Sequence, residues 1–373
     1  MRFVGRLFSV ALFALLPLAA AAATPSVQAE KAESPPIEIR VVIVTAFEIG
    51  EDSGDRAGEY QAWASVMPQV LPFPAGFRHL RYDPVTKVLL LSTGIGTNRA
   101  AASTMALGMD PRFDLSHAYW LVAAIAGANP NTISVGSAAW IGDIVDTDYG
   151  YAVDPREAPA GWPTGMFARD SKAPYKGPRG DTRYNLFPLN KGLRDWAFAR
   201  TKSIALPDAP ALKQIRAGYA GFPLAQRPPA VMVGDEATGQ TFWHGALLNA
   251  HVEKWVDYWT GGTGRFLVTA MEDSGVAGAL TMLGRVGRAD PARLLVLRTA
   301  SNYSVPPPGT GAAESLIAEA RGLSALQPSL DAAFLVGSPV VAALSGGWAT
   351  TRDSIPGQSQ EERAQGERAM TAP

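Results

Sequence analysis

The chain contains no cysteine. That excludes disulfides, thiolate metal sites and an anchor on an acylated N-terminal cysteine, and it leaves packing in an ordinary core as the source of stability. An excess of charge is also missing, since 33 basic residues stand against 34 acidic ones. Such a balance offers no electrostatic footprint for nucleic acid or anionic membrane, so the expected partners are small or neutral and no nucleic acid is among them. Only four histidines occur, His79, His117, His244 and His251, and none forms a metal-ligand pair. His244 and His251 share a helical face but lie two turns apart, too far for a common metal without other ligands. HExxH, EF-hand and GxSxG patterns are lacking. Beyond the N-terminal leader no uninterrupted apolar run reaches membrane-spanning length; the nearest, Tyr119 to Ala128, is of strand length.

What is present begins with an address. Met1 to Arg6 carries two positive charges, Leu7 to Ala19 is apolar, and Ala20 to Ala23 supplies small residues for cleavage. Residues 1–23 therefore read as a signal peptide, with the mature chain soluble and periplasmic or secreted. Residues 24–36 mix Ala, Ser, Glu, Lys and Pro without periodicity and read as a flexible leader; residues 352–373 read as a polar, disordered tail.

Residues 37–351 carry the pattern of one folded domain, with 47% hydrophobic residues in the whole chain. Short β-branched or apolar runs at Val41–Val44, Val88–Ser92, Ala118–Ala126, Ala138–Val145, Ala230–Val233, Arg265–Thr269 and Leu294–Arg298 predict strands. Helical stretches are predicted at Arg99–Gly108, Asn190–Arg200, Phe242–Trp259, about Val276–Val286, Ala312–Arg321, Ser329–Leu335 and near Val340. Their alternation predicts an α/β domain, a mixed and mostly parallel sheet flanked by helices. Tyr149–Arg183, rich in Pro, Gly and Tyr, is a long irregular excursion.

The acid pair Glu272 and Asp273, set in Thr269-Ala-Met-Glu-Asp-Ser-Gly275, interrupts apolar sequence where a strand hands over to a helix. A carboxylate there is costly to desolvate unless it is hydrogen-bonded or faces a wet cleft, and the carboxyl end of a strand is where open α/β sheets place ligands. Glu272 is thus a candidate ligand-binding acid; an N-cap and first-turn pair is the alternative. Gly94 and Gly96, between a strand and a helix, can hold an anion or a ribose oxygen or simply form a tight turn; the third glycine of a dinucleotide fingerprint and the lysine of a P-loop are missing. Phe242 can stack on a planar base or pack in the core. Asn302, in a predicted polar loop, offers donor and acceptor to a heterocycle or forms a turn.

In order, Ile43-Val-Thr-Ala-Phe-Glu48, Ser92-Thr-Gly-Ile-Gly-Thr97, Ala124-Ile-Ala-Gly127, Ile141-Gly-Asp-Ile-Val145, Thr269-Ala-Met-Glu272 and Leu297-Arg-Thr-Ala-Ser-Asn302 resemble the successive motifs of the nucleoside phosphorylase and nucleosidase superfamily. Gly239-Gln-Thr-Phe-Trp-His-Gly245, Thr269–Gly275, Arg298–Ser304 and Pro306-Pro-Pro-Gly309 more closely resemble the purine nucleoside permease family, over roughly Ile37 to Gly347.

The resemblance implies a phosphorylase-type fold. It also implies that Glu272 accepts hydrogen bonds from ribose hydroxyls and that Met271 packs on the sugar. Phe242 would flank the base, Asn302 would contact its N7 edge, and Thr93, Gly94, Gly96, Ala126 and Gly127 would line the rest. A carboxylate suits ribose because charge-assisted hydrogen bonds are stronger than neutral ones. Many relatives carry an acid at the Asn302 position, and Asn cannot act as an ordinary general acid. Glu48 is a candidate water-activating acid, and Arg99 the nearest candidate for phosphate.

The expected function is an exported purine nucleoside-binding protein that assists uptake, with a membrane partner if it takes part in transport. The alternative is phosphorolytic or hydrolytic cleavage of the N-glycosidic bond, with phosphate as a co-substrate in the first case and otherwise no cofactor. A homo-oligomer is compatible with either.

Overall fold

In the computed structural model, residues 35–321 and 325–358 are described; the signal peptide, residues 24–34 of the leader and residues 359–373 of the tail lie outside them. From Pro36 onward the described residues form one unit. Its frame is seven strands: β1 Val41–Thr45, β2 Val88–Ser92, β3 Tyr119–Ala128, β4 Ala138–Asp146, β5 Val231–Thr238, β6 Phe266–Ala270 and β7 Leu294–Tyr303. β1 lies parallel between β2 and β3. Beyond β2, Leu80–Asp83 and Gln69–Leu71 add on antiparallel, and Leu186–Pro188 adds antiparallel to β4.

β7 pairs with both β3 and β4, which closes a five-stranded ring in the order β3, β6, β5, β4, β7. Five pairings of the large sheet are parallel and five antiparallel. The expected mostly parallel sheet is therefore corrected to an evenly mixed one. The cause is physical: ring closure and flanking helices bury β4 and β7 on both faces, and strands buried on both faces show the continuous apolar runs typical of parallel sheets.

Period-two alternation assigns each face. Trp120, Val122 and Ala124 of β3 enter one core with α2 (Thr97–Gly108) and α4 (Asp273–Arg285), whereas Tyr119, Leu121 and Ala123 enter another with α5 (Leu326–Gly346). A third cluster gathers Val252, Trp255, Val256 and Trp259 of α3 (Ala246–Thr260). Burying each large apolar side chain contributes roughly 1.5–3 kcal/mol.

Three further expectations change. The helix predicted from Phe242 begins at Ala246, because Gly245 takes φ 134° and its N–H bonds the Ser304 carbonyl at 2.8 Å. The two short C-terminal helices are one, α5, which continues through Pro339. α5 is long and apolar enough to cross a membrane by length and composition, although Gln327, Ser329, Asp331 and Ser338 interrupt it, and 56% of its apolar window is buried inside the protein. Finally, β7 runs on to Tyr303. Its polar half stays in the strand because hydroxyls meet neighbouring carbonyls: Thr299 Oγ1 to Ala124 at 3.4 Å and Ser301 Oγ to Ala126 at 3.2 Å. Past Thr351 the described chain continues to 358, and Ile355 is buried against the α5 core.

Candidate functional site

β6 delivers Glu272 to the end of the ring. The residue occupies the position before α4 with φ −121°, and its side chain makes no capping bond. Instead the carboxylate turns across to another segment: Oε1 accepts from Gly96 N at 3.1 Å, and Oε2 accepts from Arg298 Nη2 at 2.9 Å and Met271 N at 3.3 Å. Glu272 is 5% exposed. A carboxylate has about four acceptor positions, so room remains for a further donor. Asp273 opens α4, where the helix dipole favours an acid, yet its side chain does not cap the helix. Its Oδ2 binds Arg298 Nε at 2.8 Å and Nη2 at 2.6 Å, which replaces the expected capping role.

The glycine loop reaches Glu272 because α2 and α4 begin side by side. A side chain at Gly275 would overlap the Thr97 carbonyl oxygen and lie 2.9 Å from its carbon. Gly96 has φ 105°, a left-handed conformation that favours glycine, and so aims its N–H at Glu272. Thr93 is fully buried, with its hydroxyl 2.9 Å from the Gly94 carbonyl. Gln240 covers the loop: its Oε1 accepts from Thr97 Oγ1 at 3.2 Å and Asn98 N at 3.4 Å. Arg99 turns Nη1 onto the Ile95 carbonyl at 3.0 Å.

On the other side, Asn302 lies in β7 rather than in the predicted loop. Ser301 is the extra residue of a bulge, so Asn302 pairs with Gly127 and Ala300 with Ala126. The Ser301 hydroxyl lies 3.2 Å from both the Ala126 carbonyl and Asn302 Oδ1. Asn302 Nδ2 donates to the Tyr303 carbonyl at 3.3 Å. Arg298 joins the two halves, because its Nη1 donates to the Ile125 carbonyl at 2.8 Å, next to Ala126.

The structure thus brings Thr93, Gly94, Gly96, Met271 and Glu272 together, and Ala126, Gly127 and Asn302 beside them. Phe242 is half-exposed in the loop two residues past Gln240. Glu48 spends its hydrogen bonds on backbone N–H groups of its own loop and of the helix that follows. Its carboxylate accepts from Ile49 N at 2.8 Å, Gln61 N at 2.7 Å and Gly58 N, tying down the start of the short helix α1 (Gln61–Ala64).

Sequence reasoning passed over Glu59. Its Oε2 accepts from Ala46 N at 2.6 Å and its Oε1 from Ile125 N at 2.8 Å. Burial pushes its carboxyl up to about 8; the charge of Arg298 opposes this, Glu272 adds to it, and the two backbone N–H groups oppose it. No periodicity marks Glu59, which sits in a polar stretch. Arg298 is different: a lone charge at the end of Leu294-Leu-Val-Leu, it carries the same signal that marks Glu272. Burial would lower the Arg298 pKa, but the adjoining carboxylates of Asp273 and Glu272 raise it, so the guanidinium stays charged.

A sequence model described as purine nucleoside permease (NUP) matches residues 38–356, and the chain belongs to that family. A probable purine nucleoside permease of Schizosaccharomyces pombe is 29% identical over 266 residues, 69% of this chain and 76% of the relative. A purine nucleoside permease of Candida albicans is 28% identical over 269 residues, and the match spans 69% of this chain and 64% of the relative. Among solved structures, a 5′-methylthioadenosine/S-adenosylhomocysteine nucleosidase from Neisseria meningitidis in complex with methylthio-immucillin-A has a TM-score of 0.47 at 15% identity, covering 80% of this chain and 99% of its own. The futalosine hydrolase of Helicobacter pylori has a TM-score of 0.47 at 14% identity, covering 81% and 98%.

Proposed function

We propose that this protein binds a purine nucleoside at the Glu272 site and, exported, hands it on for uptake. The observation that carries the reading is the buried Glu272 carboxylate, fixed by Gly96 and Arg298 but with acceptor capacity left for ribose hydroxyls. Asn302 reads the base edge with its amide, Phe242 flanks the base, and Met271 packs on the sugar. The family and its named relatives support nucleosides as the ligand class and transport as the setting. In that setting the protein works with a membrane partner.

Glu59 favours a second reading, cleavage of the N-glycosidic bond. A buried carboxyl poised near neutrality is suited to moving a proton. In this reading water is a better acceptor than phosphate. Gly96, Asn98 and Arg99 N–H are already engaged by Glu272, Gln240 and Asn98 Oδ1, and Arg99, the nearest candidate for phosphate, turns its side chain onto the Ile95 carbonyl.

Equilibrium titration of the purified protein with adenosine and guanosine tests the binding reading, and chromatography of the same mixtures, with and without phosphate, tests cleavage. Saturable binding with the nucleoside recovered intact supports capture. Release of free base supports the second reading, and neither binding nor release up to millimolar ligand would sink both.

A further inference from the structure

Inside the ring one guanidinium meets more carboxyl groups than it can neutralise. Glu272 and Asp273 bond Arg298 directly, Glu59 accepts from the N–H of Ile125 whose carbonyl Arg298 binds, and Glu236 of β5 brings Oε2 to 3.9 Å from Arg298 Nε. Glu236 is fully buried and lies opposite Val268 and Ile144 of the neighbouring strands. If Glu236 and Asp273 were both ionised, Glu236 Oε1 and Oε2 and Asp273 Oδ1 would all lack a hydrogen-bond partner. Unpaired buried charges of that kind are costly. Asp273 Oδ2 takes both bonds from Arg298, which leaves Oδ1 for another donor. A proton on one of two adjoining carboxyls supplies that donor.

We propose that Glu236 is a positioning residue: held as a neutral carboxylic acid, it donates its proton to Asp273, which fixes Arg298 and, through it, the Glu272 carboxylate. Of the carboxyls facing Arg298, Glu236 is the natural site of the proton. It has no backbone N–H on either oxygen and is the more distant from the guanidinium than Glu272 and Asp273. Its acidity agrees, since burial raises the pKa well above the usual carboxylate range and the charge of Asp273 raises it further, against the pull of Arg298. An ionised Glu236 would compete with Asp273 for Arg298 Nε and loosen the hold on Glu272. No net proton moves in binding; the proton stays between the two carboxyls. The consequence for ligand rests on the reading of Glu272 as the ribose acceptor.

Glu236→Gln retains a donor without a charge, whereas Glu236→Leu retains neither. Two readouts on the full chain separate the possibilities: the infrared band of protonated carboxyl groups at neutral pH, and the affinities for adenosine and for adenine. Glu236→Gln should remove one component of that band and bind adenosine within about twofold of the unsubstituted protein, while Glu236→Leu should lose about tenfold for adenosine and little for adenine. A band unchanged by Glu236→Gln overturns the proposal whatever the binding, and so does a Gln variant that loses as much adenosine affinity as Leu. If Leu does not fold, the Gln variant decides alone: loss of the band with near-normal affinity supports the proposal, and a tenfold loss overturns it. A lost band in a protein that binds no adenosine even unsubstituted overturns the ribose reading, and the positioning role with it.

Discussion

Along α5 and the helix Gln61–Ala64 the surface is hollowed into cavities of about 450 and 220 Å³, lined by groups such as Trp63, Met67, Phe334 and Leu335. At the Glu272 end of the ring, by contrast, Glu59, Glu236, Glu272, Asp273 and Arg298 are all buried within one network. The first region is what a hydrophobic helix leaves when packed on a curved sheet. Only Asp331 in the larger cavity and Asp83 in the smaller one carry charge among the lining groups. The second region keeps groups that are expensive to desolvate, and a fold tolerates such cost where it serves a ligand or fixes a unique arrangement. A large apolar cleft is the usual first guess for a binding site; here buried charge is the better guide.

The contrast can be broken most severely at its cation. Arg298→Ala leaves Glu272 and Asp273 buried without a counter-charge, and a loss of about 3–5 kcal/mol in urea unfolding is expected. The next effect is on pH. Glu59 ionises near 4.5 when exposed and near about 8 in the folded protein, so the folded state holds an extra proton between those values. Its contribution to stability is fully present below the lower value and declines by a few kcal/mol as pH rises to the upper one. Unfolding free energies measured across that window should fall less in Glu59→Gln than in the unsubstituted protein, although the variant starts lower.

Gly275→Ala drives a methyl into the Thr97 carbonyl. It should cost about 1–3 kcal/mol in thermal unfolding and weaken nucleoside binding as the α2 start withdraws from Glu272. The comparison is sharpened by the smallest effect. Leu335, 40% exposed beside the larger cavity, should tolerate Ser within about 0.5 kcal/mol and leave nucleoside affinity unchanged. A large loss of affinity from Leu335→Ser would mean that the ligand sits on the α5 face after all.

Much of the ring was legible as apolar runs, and Glu272 as the charge that breaks one of them. The pairing was not, because a strand buried on both faces looks the same whichever way its neighbours run. Asn302 was found by type and misplaced by context: hydroxyl-rich sequence reads as loop until carbonyls of a neighbouring strand are there to receive it. Glu236 and Glu59 were out of reach for another reason. Each is one acid among 34 Asp and Glu residues, and only ring closure brings it to a guanidinium far away in the chain. Arg298 could have been found, since it ends a buried run as Glu272 does.

The central claim is that Glu272 grips the sugar and not the base. Paired titrations of Glu272→Gln with guanosine and guanine test it most directly. The account predicts a loss of about 1.5–3 kcal/mol for the nucleoside with guanine affinity nearly unchanged, and equal losses for both ligands would contradict it.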